Sequence, residues 1–262
     1  MLRNVDHIRG FSIDAHDREL GELRDLFFDD RTWQVRYLVV RTGGWLSGRE
    51  VLLSPESVRG VHERDESISV ALTAEQVRES PDVRSDLPVS RQDEWRLVQY
   101  YNWMPYWQPM GGYTPGPGVY PHQSQRSMVA PVHGGGTTPN ARPAAAQPEG
   151  DTDLRSAEEI VGYRIHARDE EFGHVEDTIA DVDDWVVRYL VVDTRNWLPS
   201  PNVLLAADWV ERVDWSEREI RTDLDKKTIE SAPEYDPEKS LTRDDEARLY
   251  DHYGRPPYWT TP

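Results

Sequence analysis

The chain has 262 residues and no cysteine, which excludes disulfides, Cys-ligated zinc, iron–sulfur clusters and thiol catalysis. Its net charge is −18, unevenly spread: residues 1–110 carry 14 basic and 19 acidic side chains, whereas residues 151–262 carry 14 and 28. A field of that sign repels nucleic-acid phosphates and anionic headgroups, so direct nucleic-acid binding is disfavoured, and the charge serves either solubility or a basic partner.

In chain order, Phe11–Ile13 reads as a short extended piece, followed by a turn at Asp17–Gly21 and a strand over Leu23–Phe28. Trp33–Val40 comes next, with Trp33, Val35, Tyr37 and Val39 on one face. Leu38 and Val40 on the other face are also apolar, so both sides of this strand should be covered. Glu50–Leu53, Val58–His62 and Ser67–Val70 complete a set of short strands separated by turn signals, the pattern of a small barrel. Thr73–Glu79 reads as a short helix with Thr73 as N-cap and Gln76 at the capping-box position. Ser90 caps a longer helix that should stop before Pro105. Residues 108–153 are rich in Pro, Gly, Ser, Thr, Ala and Gln and read as a flexible linker.

After the linker the pattern starts again. Shifted by 152 positions, residues 8–107 lie over 160–259 without a gap, and about a third of the paired positions are identical. WQVRYLVVRTGGWL (Trp33–Leu46) lies over WVVRYLVVDTRNWL (Trp185–Leu198). The expected architecture is mainly β: two tandem small β-barrels at 1–83 and 154–235, each with a short helix. Each is followed by a helical extension with an aromatic tail, at 84–107 and 236–262.

Arg36 and Arg188 sit inside apolar strands and need partners or must snorkel to the barrel rim; acids paired by the same repeat, Asp25 and Asp177, make the candidate structural ion pairs. The tails concentrate aromatic residues, and Tyr101, Trp103, Tyr106, Trp107, Tyr253, Tyr258 and Trp259 are the candidate partner-binding residues. The alternative is that each tail folds back over its own barrel. Scattered histidines and turn-forming carboxylates make no metal or catalytic pattern, so no catalytic residue, metal or cofactor is expected. The Gly134–Gly136 run lacks the Lys-Ser/Thr of a phosphate loop. No run of about 18 apolar residues suggests a transmembrane helix. The amino-terminal MLRNVDHIRGFSID lacks a signal-peptide stretch, so a cytoplasmic location is expected.

The strand entering at Gly10 and Gly162, the Asp-x-x-x-Gly turn and the Trp-x-x-Arg-Tyr-Leu-Val-Val strand together resemble the PRC-barrel family. The resemblance extends over roughly 8–80 and 160–232, and the Tyr253–Trp259 ending is similar to the tails of bacterial stand-alone members. It implies a docking and scaffolding barrel like the cytoplasmic domain of the photosynthetic reaction-centre H subunit, and more distantly the carboxy-terminal domain of the ribosome-maturation factor RimM. The expected function is therefore a non-catalytic scaffold that meets a protein partner, such as a membrane complex approached from the cytoplasmic side and peripheral to the inner membrane. The alternatives are a ribosome or RNA maturation accessory factor, or a stress-related soluble protein. Contact between the two barrels, or between copies of the chain, is also compatible with this resemblance.

Overall fold

The computed structural model describes residues 1–81, 89–107, 153–194 and 202–260. It divides into two compact units, Met1–Pro88 with Asp153–Pro262, and Val89–Thr152. The expected linker, Asp153 excepted, lies outside the described residues.

In the larger unit, strand β1 (Leu2–Asn4) and the one-turn helix α1 (Val5–Ile8) precede β2 (Ser12–Asp14), β3 (Glu19–Asp29) and β4 (Val35–Thr42). Then come β5 (Glu50–Leu53), β6 (Val58–His62), β7 (Ser67–Val70) and helix α2 (Ala74–Glu79). The capping box of α2 is present in both directions, with Gln76 N–H donating to Thr73 Oγ1 at 3.2 Å and Thr73 N–H to Gln76 Oε1 at 2.7 Å. The smaller unit contributes α3 (Arg91–Tyr101). The second repeat begins with β8 (Leu154–Ser156), β9 (Arg164–His166), β10 (Glu171–Asp181) and β11 (Val186–Asp193). It ends with β12 (Asn202–Ala206), β13 (Val210–Asp214), β14 (Glu219–Thr222), α4 (Lys226–Glu230), β15 (Glu234–Tyr235) and α5 (Arg243–Tyr253).

The protein is mainly β, with one sheet of seven strands and one of eight. The first runs β5-β4-β3-β2-β7-β6 and the second β13-β14-β9-β10-β11-β12-β15. Neither ladder closes into a full ring among the described residues. Both faces of β4 are covered, as its uninterrupted apolar run requires: Val35, Tyr37, Leu38, Val39 and Val40 are all buried.

One expectation about this strand needs correcting. Trp33 is not part of β4; it closes the hairpin loop with φ +59°, and Trp185 does the same with φ +55°. The left-handed region is costly for bulky side chains. Across the seam between the repeats, Val35 N–H donates to Trp185 O at 2.7 Å and Val187 N–H to Trp33 O at 2.9 Å. These paired bonds hold both tryptophans in place.

The seam also contains a feature not visible in the sequence pattern, a reciprocal exchange of strands. β1 leaves its own repeat and pairs antiparallel with β10, Leu2 opposite Asp181 and Asn4 opposite Ile179. β8, its counterpart 152 residues on, pairs with β3, Leu154 opposite Asp29 and Ser156 opposite Phe27. Val5 and Ile8 follow β1 into the core, and Ala157 and Ile160 follow β8.

β3 and β10 each carry a register shift at the same place, between Leu23 and Asp25 and between Val175 and Asp177. A bulge there bends the strand and re-aims its side chains. At the start of these strands the turn glycines are pressed against a neighbouring backbone. A Cβ on Gly21 would lie 2.0 Å from Arg41 O, and one on Gly173 would lie 2.4 Å from Asp193 O. Both also have positive φ, +152° and +60°. Gly21→Ala and Gly173→Ala are each expected to cost about 2 kcal/mol or more, read as a lower urea midpoint at unchanged slope.

Candidate docking surface

The second aromatic tail is assembled on α5. Thr242 caps the helix, its Oγ1 accepting from Asp245 N–H at 3.2 Å, and Gly254 ends it with φ +62°. Leu249, Tyr250 and Tyr253 form the buried face, and the Trp209 ring meets Tyr250 and Tyr253 at 5.1 and 4.6 Å. Tyr253 O–H donates to Leu204 O at 3.3 Å.

Glu246, in the first turn of α5, is 2% exposed and is the hub of the tail. It accepts from Tyr189 O–H at 2.6 Å and from Tyr258 O–H at 3.1 Å, and Arg243 lies 2.9 Å from its other oxygen. Burial pushes the Tyr258 hydroxyl up to about 12 and raises that of Tyr189 as well, so both stay protonated donors at neutral pH. The Arg188 guanidinium lies 4.1 Å from the Tyr258 ring centre, and that of Arg243 lies 4.2 Å from the Trp259 ring centre.

The smaller unit repeats the Arg–Glu–Tyr–Trp part of this arrangement. Ser90 Oγ caps α3 by accepting from Asp93 N–H at 3.1 Å. Tyr106 O–H donates to Glu94 at 2.8 Å, and Arg91 bridges to Glu94 at 2.7 Å and to Tyr106 at 3.0 Å. Arg91 also covers the Trp107 ring at 4.4 Å, and Tyr101 stacks on Trp103 at 4.3 Å.

Of the seven candidate partner-binding residues, Tyr253 is buried and is a core residue of the second repeat, not a contact surface. Tyr101, Trp103, Tyr106, Trp107, Tyr258 and Trp259 are all half-buried. In the second repeat the tail folds back onto α5, where the Tyr258 and Trp259 rings meet Tyr250 at 6.2 and 5.3 Å.

The candidate ion pairs are also corrected. Arg36 lies 3.6 Å from Asp29, and Arg188 pairs with Asp184. Asp25 and Asp177 instead receive the exchanged segments. Asp25 accepts from Ser156 O–H and from the backbone N–H of Leu26 (2.8 Å) and Glu158 (3.2 Å). Asp177 accepts from Asn4 Nδ2 (3.0 Å) and from the N–H of Thr178 (2.7 Å) and Asp6 (3.2 Å). Burial outweighs these donors and raises both carboxyls to about 6. The guanidinium on each long strand reaches the acid at the hairpin end, whereas the bulges turn Asp25 and Asp177 toward the seam.

The sequence reading missed Glu94 and Glu246 as tail anchors. The signal was present: Arg91, Glu94 and Tyr106 recur unchanged as Arg243, Glu246 and Tyr258 at the repeat spacing. A cavity of about 310 Å³ lies beside α5, lined by Leu204, Tyr235, Lys239, Leu241, Arg248 and Leu249. Its cations are engaged, Lys239 with Asp236 at 2.8 Å and Arg248 with Asp245.

A duplicated β unit that exchanges strands with its copy, with an Arg–Tyr–Trp tail after a capped helix in each half, defines a tandem β-repeat protein. Residues 7–77 match the PRC-barrel domain family, and the chain thus carries a PRC-barrel domain at its first repeat. No curated protein sequence matches the chain. Among the described residues no helix is long and apolar enough to cross a membrane.

Proposed function

We propose that the protein is a non-catalytic scaffold that docks a protein partner through its two matched tails. The observation carrying this reading is the recurrence of one Arg–Trp pair, Arg91 on Trp107 and Arg243 on Trp259, each ring half-buried and backed by a carboxylate hub. Rigid aromatic rings held by a guanidinium are the residue types that anchor interfaces. Two such sites on one chain gain avidity through effective concentration. A PRC-barrel domain is compatible with this role. The net charge of −18 suits a basic partner surface and opposes direct RNA contact. The partner is a membrane complex approached from its cytoplasmic face.

The test is recovery of the tagged full chain from its native cells after mild crosslinking, with membrane and ribosomal fractions analysed separately. A defined complex in the membrane fraction, lost about tenfold or more in the Trp107→Ala/Trp259→Ala double variant and less in each single variant, is the expected result. Equal recovery with and without both tryptophans would overturn the tail reading. Enrichment of ribosomal particles would replace the membrane partner with a RimM-like one.

A further inference from the structure

The two ends of the seam are equivalent by the repeat but are built from different chemistry. At one end Phe28 and Asp30 of the first repeat meet Trp215 and Arg155 of the second. The Trp215 ring centre lies 6.5 Å from that of Phe28. Arg155 lies 3.3 Å from Asp30 and 4.8 Å from the Trp215 ring centre. At the other end the corresponding positions are Ala180 and Val182 of the second repeat, with Glu63 and Arg3 of the first. There Arg3 pairs with Glu63 at 2.5 Å. The backbone frame is the same at both ends: Asp30 N–H donates to Asp153 O at 2.8 Å, and Val182 N–H to Met1 O at 3.0 Å.

We infer that the seam is a selective recognition surface on which the first repeat accepts only the second, whether from its own chain or from a second copy. Two first repeats would put Glu63 where Trp215 packs beside Phe28, so the ring contact is lost and Asp30 and Glu63 must share the single cation Arg3. Two second repeats would set Trp215 against Ala180 and Val182 and leave Arg155 without its carboxylate. Both like pairings keep the strand ladder and lose the side-chain match, so the ladder supplies attraction and the ends supply choice. Two copies of this protein can therefore join through this surface only by exchanging whole repeats, first onto second, at both seams. This inference stands apart from the docking role of the tails.

The test uses the full chain with a protease site placed within residues 108–152, cut after folding. The fragments are expected to stay together one to one and to elute as the uncut chain does; fragments that part on cutting would overturn the inference. Trp215→Glu in the cut chain should raise the concentration at which the fragments separate by about tenfold or more, and Trp215→Phe, which keeps a ring without the N–H, by less. No change with either variant would overturn the inference. Cut ¹⁵N-labelled and unlabelled chains, unfolded together in urea and returned to buffer, should give only first-with-second pairs by native mass spectrometry. Like pairs at more than about a tenth of the total would sink the selectivity.

Discussion

Raising the pH from 4 to 7 is expected to widen the stability gap between the Asp25→Asn/Asp177→Asn double variant and the unaltered chain, in favour of the variant. Asp25 and Asp177 are 6% and 8% exposed, and burial lifts their carboxyls from 3.8 to about 6. Between those two values the folded state holds more protons than the unfolded state, so these groups make stability fall as pH rises. The penalty is absent below about pH 4 and complete above about pH 6, on the order of 3 kcal/mol per site. Other carboxylates act in the opposite sense; Asp169, Asp181, Asp214, Asp236 and Asp245 are lowered by hydrogen bonds or nearby cations. The difference between variant and unaltered chain removes that background. Asparagine can keep accepting the two backbone N–H groups and can present its amide to Ser156 Oγ or Asn4 Oδ1. Urea unfolding at each pH reads the effect, and a gap that stays constant from pH 4 to 7 would show that burial does not govern these carboxyls.

The second large effect is expected at Glu246. Glu246→Ala removes the acceptor of the buried Tyr189 hydroxyl and the half-buried Tyr258 hydroxyl, and the partner of Arg243, in one step. Breaking a buried, charge-assisted cluster by removing one member costs about 3–5 kcal/mol, because the remaining polar groups are left without partners. Glu246→Gln keeps an acceptor and the side-chain volume and should cost less than half as much. The readout separates local from global loss: hydrogen exchange of α5 and of the 255–260 tail should accelerate in Glu246→Ala more than that of β10 and β11. Equal acceleration throughout would mean that the tail and the sheet unfold as one unit and that Glu246 is not a local anchor.

Where the sequence was read correctly, the signals were local. Thr73 with Gln76 and Ser90 with Asp93 mark helix starts within four residues, and both caps are formed. β5, β6 and β7 have the expected limits because short runs with apolar residues, bounded by turn signals, need no distant information. β1, β8 and β15 were not anticipated; they are two or three residues long, too short for any period to register. Trp33 was drawn into a strand because its apolar character fits the alternation, while its positive φ is imposed by the hairpin and by the other repeat.

By itself the sequence determined the duplication, the β-rich repeat, the helix caps and the pairing of tail residues, since each is written in spacing or in a few adjacent side chains. Only the tertiary structure decided which repeat receives which exchanged strand, that Asp25 and Asp177 face the seam instead of Arg36 and Arg188, and that Glu246 gathers Tyr189 and Tyr258. Those outcomes depend on contacts distant along the chain, such as Tyr189 with Glu246, 57 positions apart, and Asn4 with Asp177, 173 apart. They are chosen by which long-range burial leaves the fewest unpaired polar groups, a comparison that no local pattern contains.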